Sequence, residues 1–178
     1  MAEKGEGVEC ILFCDIDGVL CCSPQSMYQL PGRRAWDSGP VEALQYLFRE
    51  VPSLRMVLSS SWRAKRANRE GVDRLLAEHD LPPLLGVTPR LSEEHAARGS
   101  EILHWLDSNG GARAFVAIDD GELIVSSCFG KGTEAHSRLE KAFVRTRKGE
   151  GLTLHHADTA IRMYRQQLQS DNHMGEES

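Results

Sequence analysis

Three short apolar runs, Cys10 to Asp15, Leu54 to Ser59 and Ala114 to Asp119, each break off into a cluster of polar side chains. The first ends in Asp15 and Asp17, the second in Ser59, Ser60 and Ser61, the third in Asp119 and Asp120. Runs this short that are apolar on both faces read as strands covered on each side, not as strands with one solvated face. The segments between them carry helical spacing. Pro40 to Glu50 places Val41, Leu44, Leu47 and Phe48 on one side, with Ser38 as its cap and Pro40 in its first turn. Ala64 to His79 is helical and highly charged, Ser100 to Asp107 repeats the spacing through Ile102, Leu103 and Leu106, and Asp158 to Leu168 turns Ile161, Tyr164 and Leu168 inward. Gly86 to Glu94 reads as irregular, and Leu123 to Val125 and Ala142 to Val144 as short strands.

Strands alternating with helices belong in a parallel sheet between helical layers. The expected architecture is therefore an α/β, three-layer α/β/α sandwich around a mainly parallel, doubly wound, Rossmann-like sheet. One domain over 10–169 accommodates it, with flexible tails at 1–9 and 170–178. In such a sheet the loops after the strands gather at one edge, where ligands bind. The acids and serines that end these three strands all fall at that edge.

Four carboxylates converging there repel one another unless a cation offsets them. An oxygen-seeking ion such as Mg2+ suits the donors, and a phosphate completes the set: hydroxyls donate to its oxygens and a cationic side chain balances its charge. Of two acids one residue apart, one can attack phosphorus while the other protonates the leaving oxygen and later activates water. Gly18 permits the sharp exit that turns backbone N–H groups toward the phosphate, and Val19 to Cys22 then begins a flap. A calcium loop would need ligands to continue at alternate positions, where Val19 and Leu20 stand.

"FCDIDGVL", "VLSSSW", "ARGSEILHWL" and "VAIDD" stand in the order of the four motifs of the haloacid dehalogenase-like (HAD) superfamily, which this chain resembles from about Cys10 to Asp120. "SSSWR", "RGSEILHWL" and the later "GLT" look more specifically like the small HAD domains of Swiss army knife RNA repair proteins. That resemblance implies a Mg2+-dependent phosphatase acting through an aspartyl phosphate, with Asp15 as nucleophile and Asp17 as general acid/base. It implies Ser60, with Ser59 beside it, as the phosphate-binding hydroxyl, and Arg98 or else Arg90 as the cation of the third motif. Asp15, the Asp17 backbone carbonyl, Asp119 and Asp120 would form the metal shell.

The interval from Leu20 to Leu54 is filled by a short flap and the Pro40 helix, and that from Trp62 to Arg113 by core helices, so no large cap domain is expected. An open site admits a phosphate on RNA or DNA ends or on a phosphoprotein. A small-molecule phosphatase or nucleotidase is the alternative, and a non-catalytic HAD-fold interaction module a further one. The net charge of −5 argues against bulk electrostatic binding of nucleic acid. The run "RAKRANR" from Arg63 to Arg69 reads first as a solvated helix face, and Arg33 and Arg34 as flap residues. Trp36 and Trp62 read as packing over the sheet edge, Cys21 and Cys22 as structural thiols, and His155 and His156 as the end of a late strand or loop. Five cysteines without CxxC pairing and the lack of a long apolar stretch suggest a cytoplasmic chain that meets no membrane. Oligomeric state is left open.

Overall fold

The computed structural model describes residues 10–27, 35–51, 53–91, 98–124 and 132–174, with 171–174 described by their backbone alone. Arg33, Arg34, Cys128 and the expected N-terminal tail lie outside the described residues. The elements are β1 (Cys10–Cys14), α1 (Pro24–Met27), α2 (Ser38–Glu50), β2 (Leu54–Leu58), a 3-10 turn (Ser61–Ala64) and α3 (Arg66–Glu78). They continue with β3 (Gly86–Val87), α4 (Arg98–Ser108), β4 (Ala114–Asp119), α5 (Glu134–Glu140), β5 (Phe143–Arg145) and α6 (Leu154–Met174).

The five strands form one parallel sheet in the order β3-β2-β1-β4-β5. Alternation along the strands divides the core in two. Cys10, Leu12 and Cys14 of β1 face one layer with Met56, Leu58, Val116 and Ile118, against Leu44 and Leu47 of α2, Leu76 of α3 and Ile161 and Tyr164 of α6. Ile11 and Phe13 face the other with Val57, Phe115 and Ala117, against Ile102, Trp105 and Leu106 of α4 and Leu139 of α5. The three-layer, doubly wound arrangement is the one expected. Among the described residues no large cap stands over the sheet. No helix of the described residues is long and apolar enough to cross a membrane.

Several local expectations are corrected. Gly86 and Val87, expected irregular, pair with Val57 and Leu58 as a two-residue edge strand, too short to show any periodicity. Leu123 and Ile124 take part in no strand, Val125 lying outside the described residues, and Leu123 is buried in the cluster with α4 and α5. Ser38 is the first residue of α2, and the cap position falls to Asp37. The segment from Ala64 is split into a 3-10 turn and a helix that begins at Arg66. α6 overruns the expected helix at both ends, running from Leu154 to Met174. His155 and His156 therefore lie in its first turn rather than ending a strand. Thr153 Oγ1 accepts from His156 N (3.3 Å) while Thr153 N donates to His156 Nδ1 (3.2 Å), a reciprocal pair like a capping box. Finally, Val19, Leu20, Cys21 and Cys22 are buried, and the first three belong to the core cluster. The stretch after the paired acids returns to the core instead of beginning a flap.

Candidate active site

Sheet register sets the site. Cys14 pairs with Leu58 on one side and Ile118 on the other, so the next residues of three adjacent strands, Asp15, Ser59 and Asp119, stand in a row. Two hydrogen bonds fix that row: Ser59 N donates to Cys14 O (2.9 Å) and Asp15 N to Ile118 O (3.0 Å). β2 and β3 extend the sheet to one side of β1 and β4 and β5 to the other, so the chain direction of winding reverses between β1 and β4, where crevices form in such sheets. Asp15 and Asp119 flank that point.

Asp15, Asp119 and Asp120 bring one carboxylate oxygen each within 4.8 Å of one another. Asp15 and Asp119 are 5% and 2% exposed, so water screens them little. Arg98, the first residue of α4, bridges them: its Nη1 donates to Asp15 Oδ2 (2.5 Å) and to Asp119 Oδ2. Burial and the Asp15 charge push the Asp119 carboxyl above its ordinary pKa, against the pull of Arg98. Burial works against the Arg98 cation, yet the Asp15 and Asp119 charges outweigh it and hold its pKa above the ordinary value. Ile16 N and Gly121 N donate to Asp15 Oδ1 and Asp119 Oδ1, each at 2.8 Å, and orient both carboxylates.

Asp17 does not join this cluster, so three carboxylates converge instead of four. Trp62 Nε1 donates to Asp17 Oδ2 at 2.9 Å and fixes that carboxylate beside the cluster. Trp62 itself is buried, as expected, but it has a polar duty as well as a packing one. Gly18 adopts φ +79°, and a Cβ placed there would fall 2.2 Å from Asp120 Oδ2. The glycine thus permits both the turn and the close approach of Asp120. Gly18 O accepts from Thr146 Oγ1 (3.0 Å), which ties the β1 loop to the end of β5.

The serines divide. Ser60 Oγ caps the 3-10 turn by accepting from Trp62 N at 3.4 Å. Ser59 Oγ is buried with no hydrogen-bond partner among the described residues. Ser61 is exposed and begins the turn. Arg90 stays apart from the carboxylates, on the wall of a neighbouring cavity that Arg98 also lines.

Two features had not been foreseen, the buried threonines and the Arg63–Glu101 pair. Thr88 and Thr146, buried at 1% and 2%, follow β3 and β5, so all five strands run out into a buried polar side chain. Thr-Pro after an apolar run was the faint signal for the first. Arg63, expected on a solvated face, is 9% exposed as a side chain and pairs with Glu101 of α4 at 2.5 Å. Its Nη1 also donates to Ser60 O (2.7 Å), locking the serine turn to α4. Trp36 is buried and stacks on His79, 6.1 Å between centroids. Cys22 makes its contact with Asp37 Oδ2 (3.3 Å), and burial together with that carboxylate pushes its thiol pKa up to about 11, fitting a structural thiol.

Neither a curated protein nor a solved structure matches the chain. A family described as the HAD domain in Swiss Army Knife RNA repair proteins matches residues 11–157, a span that holds Asp15, Asp17, the serine turn, Arg98, Asp119 and Asp120. A buried acidic cluster at the sheet edge and a five-stranded parallel α/β fold agree with that match and support a phosphatase-like role. The chain belongs to the HAD domain family of Swiss Army Knife RNA repair proteins.

Proposed function

We propose that the protein is a Mg2+-dependent phosphomonoesterase that works through an aspartyl phosphate on Asp15 and acts on the phosphorylated end of a polynucleotide. The observation that carries this reading is the trio of carboxylates within 4.8 Å, closed on one side by Arg98. Three carboxylates against one guanidinium leave an excess of negative charge in a largely dehydrated setting, and an all-oxygen donor set of this kind fits Mg2+. Asp15, Asp119 and Asp120 would hold the ion, with the Asp17 carbonyl beside them. When bound, it offsets charge on the phosphoryl oxygens.

Asp15 attacks phosphorus, forming an O–P bond as the bond to the leaving oxygen breaks. Asp17 gives its proton to that oxygen. Water then attacks the phosphoaspartate, Asp17 takes a proton from it, and phosphate leaves with Asp15 restored. Trp62 keeps the Asp17 carboxylate oriented for both transfers. The Ser59 hydroxyl, a buried donor lacking a partner among the described residues, suits a phosphate oxygen. Arg98 balances charge on the other side. The choice of a polynucleotide end rests on the family's description and on the lack of a large cap over the described sheet edge.

The test is hydrolysis of p-nitrophenyl phosphate with Mg2+, with EDTA, and with Asp15→Asn. Turnover only by the wild-type protein with Mg2+ is expected; turnover in EDTA, or by the variant, refutes the mechanism. End-phosphorylated RNA and DNA oligonucleotides, mononucleotides and phosphopeptides then decide the substrate. Cleavage confined to mononucleotides or to phosphopeptides refutes the polynucleotide assignment.

A further inference from the structure

Beside the carboxylate cluster lies a cavity of about 420 Å³ lined by Ser61, Arg63, Ala64, Arg90, Leu91, Arg98 and Glu101. Three of these residues carry guanidinium groups, in a chain whose net charge is −5. They are not equivalent. Arg63 is framework: it is held by Glu101, Ser60 O and Pro89 O, and its charge is cancelled locally by Glu101. Its Nε remains a buried donor without a partner among the described residues. Arg98 faces two ways, lining this cavity while its Nη1 holds Asp15 and Asp119. Arg90 is exposed on the cavity wall and makes no ion pair or hydrogen bond among the described residues.

The catalytic mechanism has no use for Arg90 or for the Ser61 hydroxyl, yet both stand on a cavity that shares Arg98 with the nucleophile. Guanidinium groups pair with phosphate oxygens through parallel N–H donors, and a serine hydroxyl adds a further donor. We propose that this cavity is a second anion subsite, taking a phosphate group of the substrate other than the one removed. The proposal deepens the phosphatase reading above and rests on it for the identity of the neighbouring site. A substrate that fits both places carries two phosphates close together, with Arg98 standing between them. The second group has one chemistry and two possible sources, the adjoining phosphodiester of a polynucleotide or the other phosphate of a small bisphosphate.

The experiment measures binding without turnover, so that its failure is separable from failure of the phosphatase reading. Asp15→Asn protein with Mg2+, and wild-type protein in EDTA, are titrated calorimetrically with adenosine 3′-monophosphate, adenosine 3′,5′-bisphosphate and a 3′-phosphorylated dinucleotide. The bisphosphate or the dinucleotide is expected to bind at least about tenfold more tightly than the monophosphate, and Arg90→Ala to erase that difference. Arg90→Lys restores part of it, because charge is kept while the planar fork is lost. A gain seen with the dinucleotide alone assigns the second phosphate to a polynucleotide; one seen with the bisphosphate alone assigns it to a small molecule. Equal affinities for all three ligands, or a preference that survives Arg90→Ala, overturn the proposal. A preference in a protein that hydrolyses none of them would uphold the subsite and refute the phosphatase reading instead.

Discussion

Replacing Asp37 by alanine removes the clasp that closes the chain segment leaving the site. Asp37 accepts from Cys22 N (2.7 Å), Ser23 N (3.0 Å), Ser23 Oγ (2.5 Å) and Ser26 Oγ (2.8 Å), so one carboxylate at the start of α2 gathers the turn before α1 and α1 itself. Hydrogen bonds to a charged acceptor contribute about 1.5–3 kcal/mol each where water is excluded. Asp37 is half-buried and water can re-solvate the donors, so a net loss of about 3 kcal/mol is expected, not the sum of four. For a chain of this size that corresponds to about 6–12 °C in Tm. The dependence on pH has a definite sign. Burial would raise the Asp37 pKa, but the hydrogen bonds from Ser23, Cys22 and Ser26 override it and hold it well below the carboxylate range. A depressed folded-state pKa gives stability that is present above the unfolded value of about 3.9 and is lost as pH falls through the folded one. The Tm gap between wild type and Asp37→Ala, followed by differential scanning calorimetry, should be widest near about pH 7 and shrink on acidification below about pH 4. A gap under about 2 °C at neutral pH, or one that does not change with acidification, refutes the clasp.

Glu101→Gln leaves Arg63 buried without its counter-charge and should cost about 3–5 kcal/mol, whereas the paired change Arg63→Met with Glu101→Leu should recover most of it; urea denaturation of the three proteins measures both, and a single variant as stable as wild type removes the pair from consideration. Gly18→Ala forces an L side chain into a left-handed φ at roughly 1–2 kcal/mol and drives its Cβ onto Asp120, so the protein should melt lower and need more Mg2+ for half-maximal activity; an unchanged Mg2+ response would separate Asp120 from the metal. The buried Tyr164 hydroxyl donates to Ile11 O at 2.8 Å, and burial pushes its pKa well above the ordinary value, so it stays a neutral donor. Tyr164→Phe removes that donor from a β1 carbonyl that also lies in the sheet ladder, and should cost about 0.5–1.5 kcal/mol in thermal or urea unfolding; an unchanged stability would show that the bond contributes nothing.

What the chain disclosed in advance was what short-range pattern can carry. β1, β2 and β4 are legible because residues covered on both faces must be apolar throughout, and Asp15, Asp119 and Asp120 because acids directly after such runs fall at one sheet edge. β3 was invisible because two residues hold no period, and with it went Thr88. Arg63 misled for a different reason. A basic run looks like a solvated face until a distant carboxylate is known to meet it, and Glu101, 38 residues along, gives no local hint of doing so. Asp17 shows the same limit: its spacing from Asp15 is plain in "DIDG", but the donor that fixes its carboxylate is an indole 45 residues away. Within "SSS" only pairing distinguishes the three residues: Ser59 completes the row with Asp15 and Asp119 while Ser60 caps the 3-10 turn.

These long-range contacts converge on the first turn of α4. Arg98 and Glu101 are three residues apart, hence neighbours on the surface of that helix. One reaches across to acids at the ends of β1 and β4; the other reaches back to Arg63 in the turn after β2. The two contacts have opposite polarity and go to different strands, so a rotation of α4 that improved one would strain the other. Arg63 extends the linkage by holding Ser60 O, which places the serine turn and the cation of the site in a single hydrogen-bonded frame. A cation that had only to neutralise charge could stand on a flexible loop. One placed at a helix start and braced by a buried ion pair is held in register with Asp15, which under the proposed mechanism is the condition for charge stabilisation without reorganisation at the moment of reaction. Glu101 thus acts on the site through the geometry of Arg98, although it contacts none of the acids at the sheet edge.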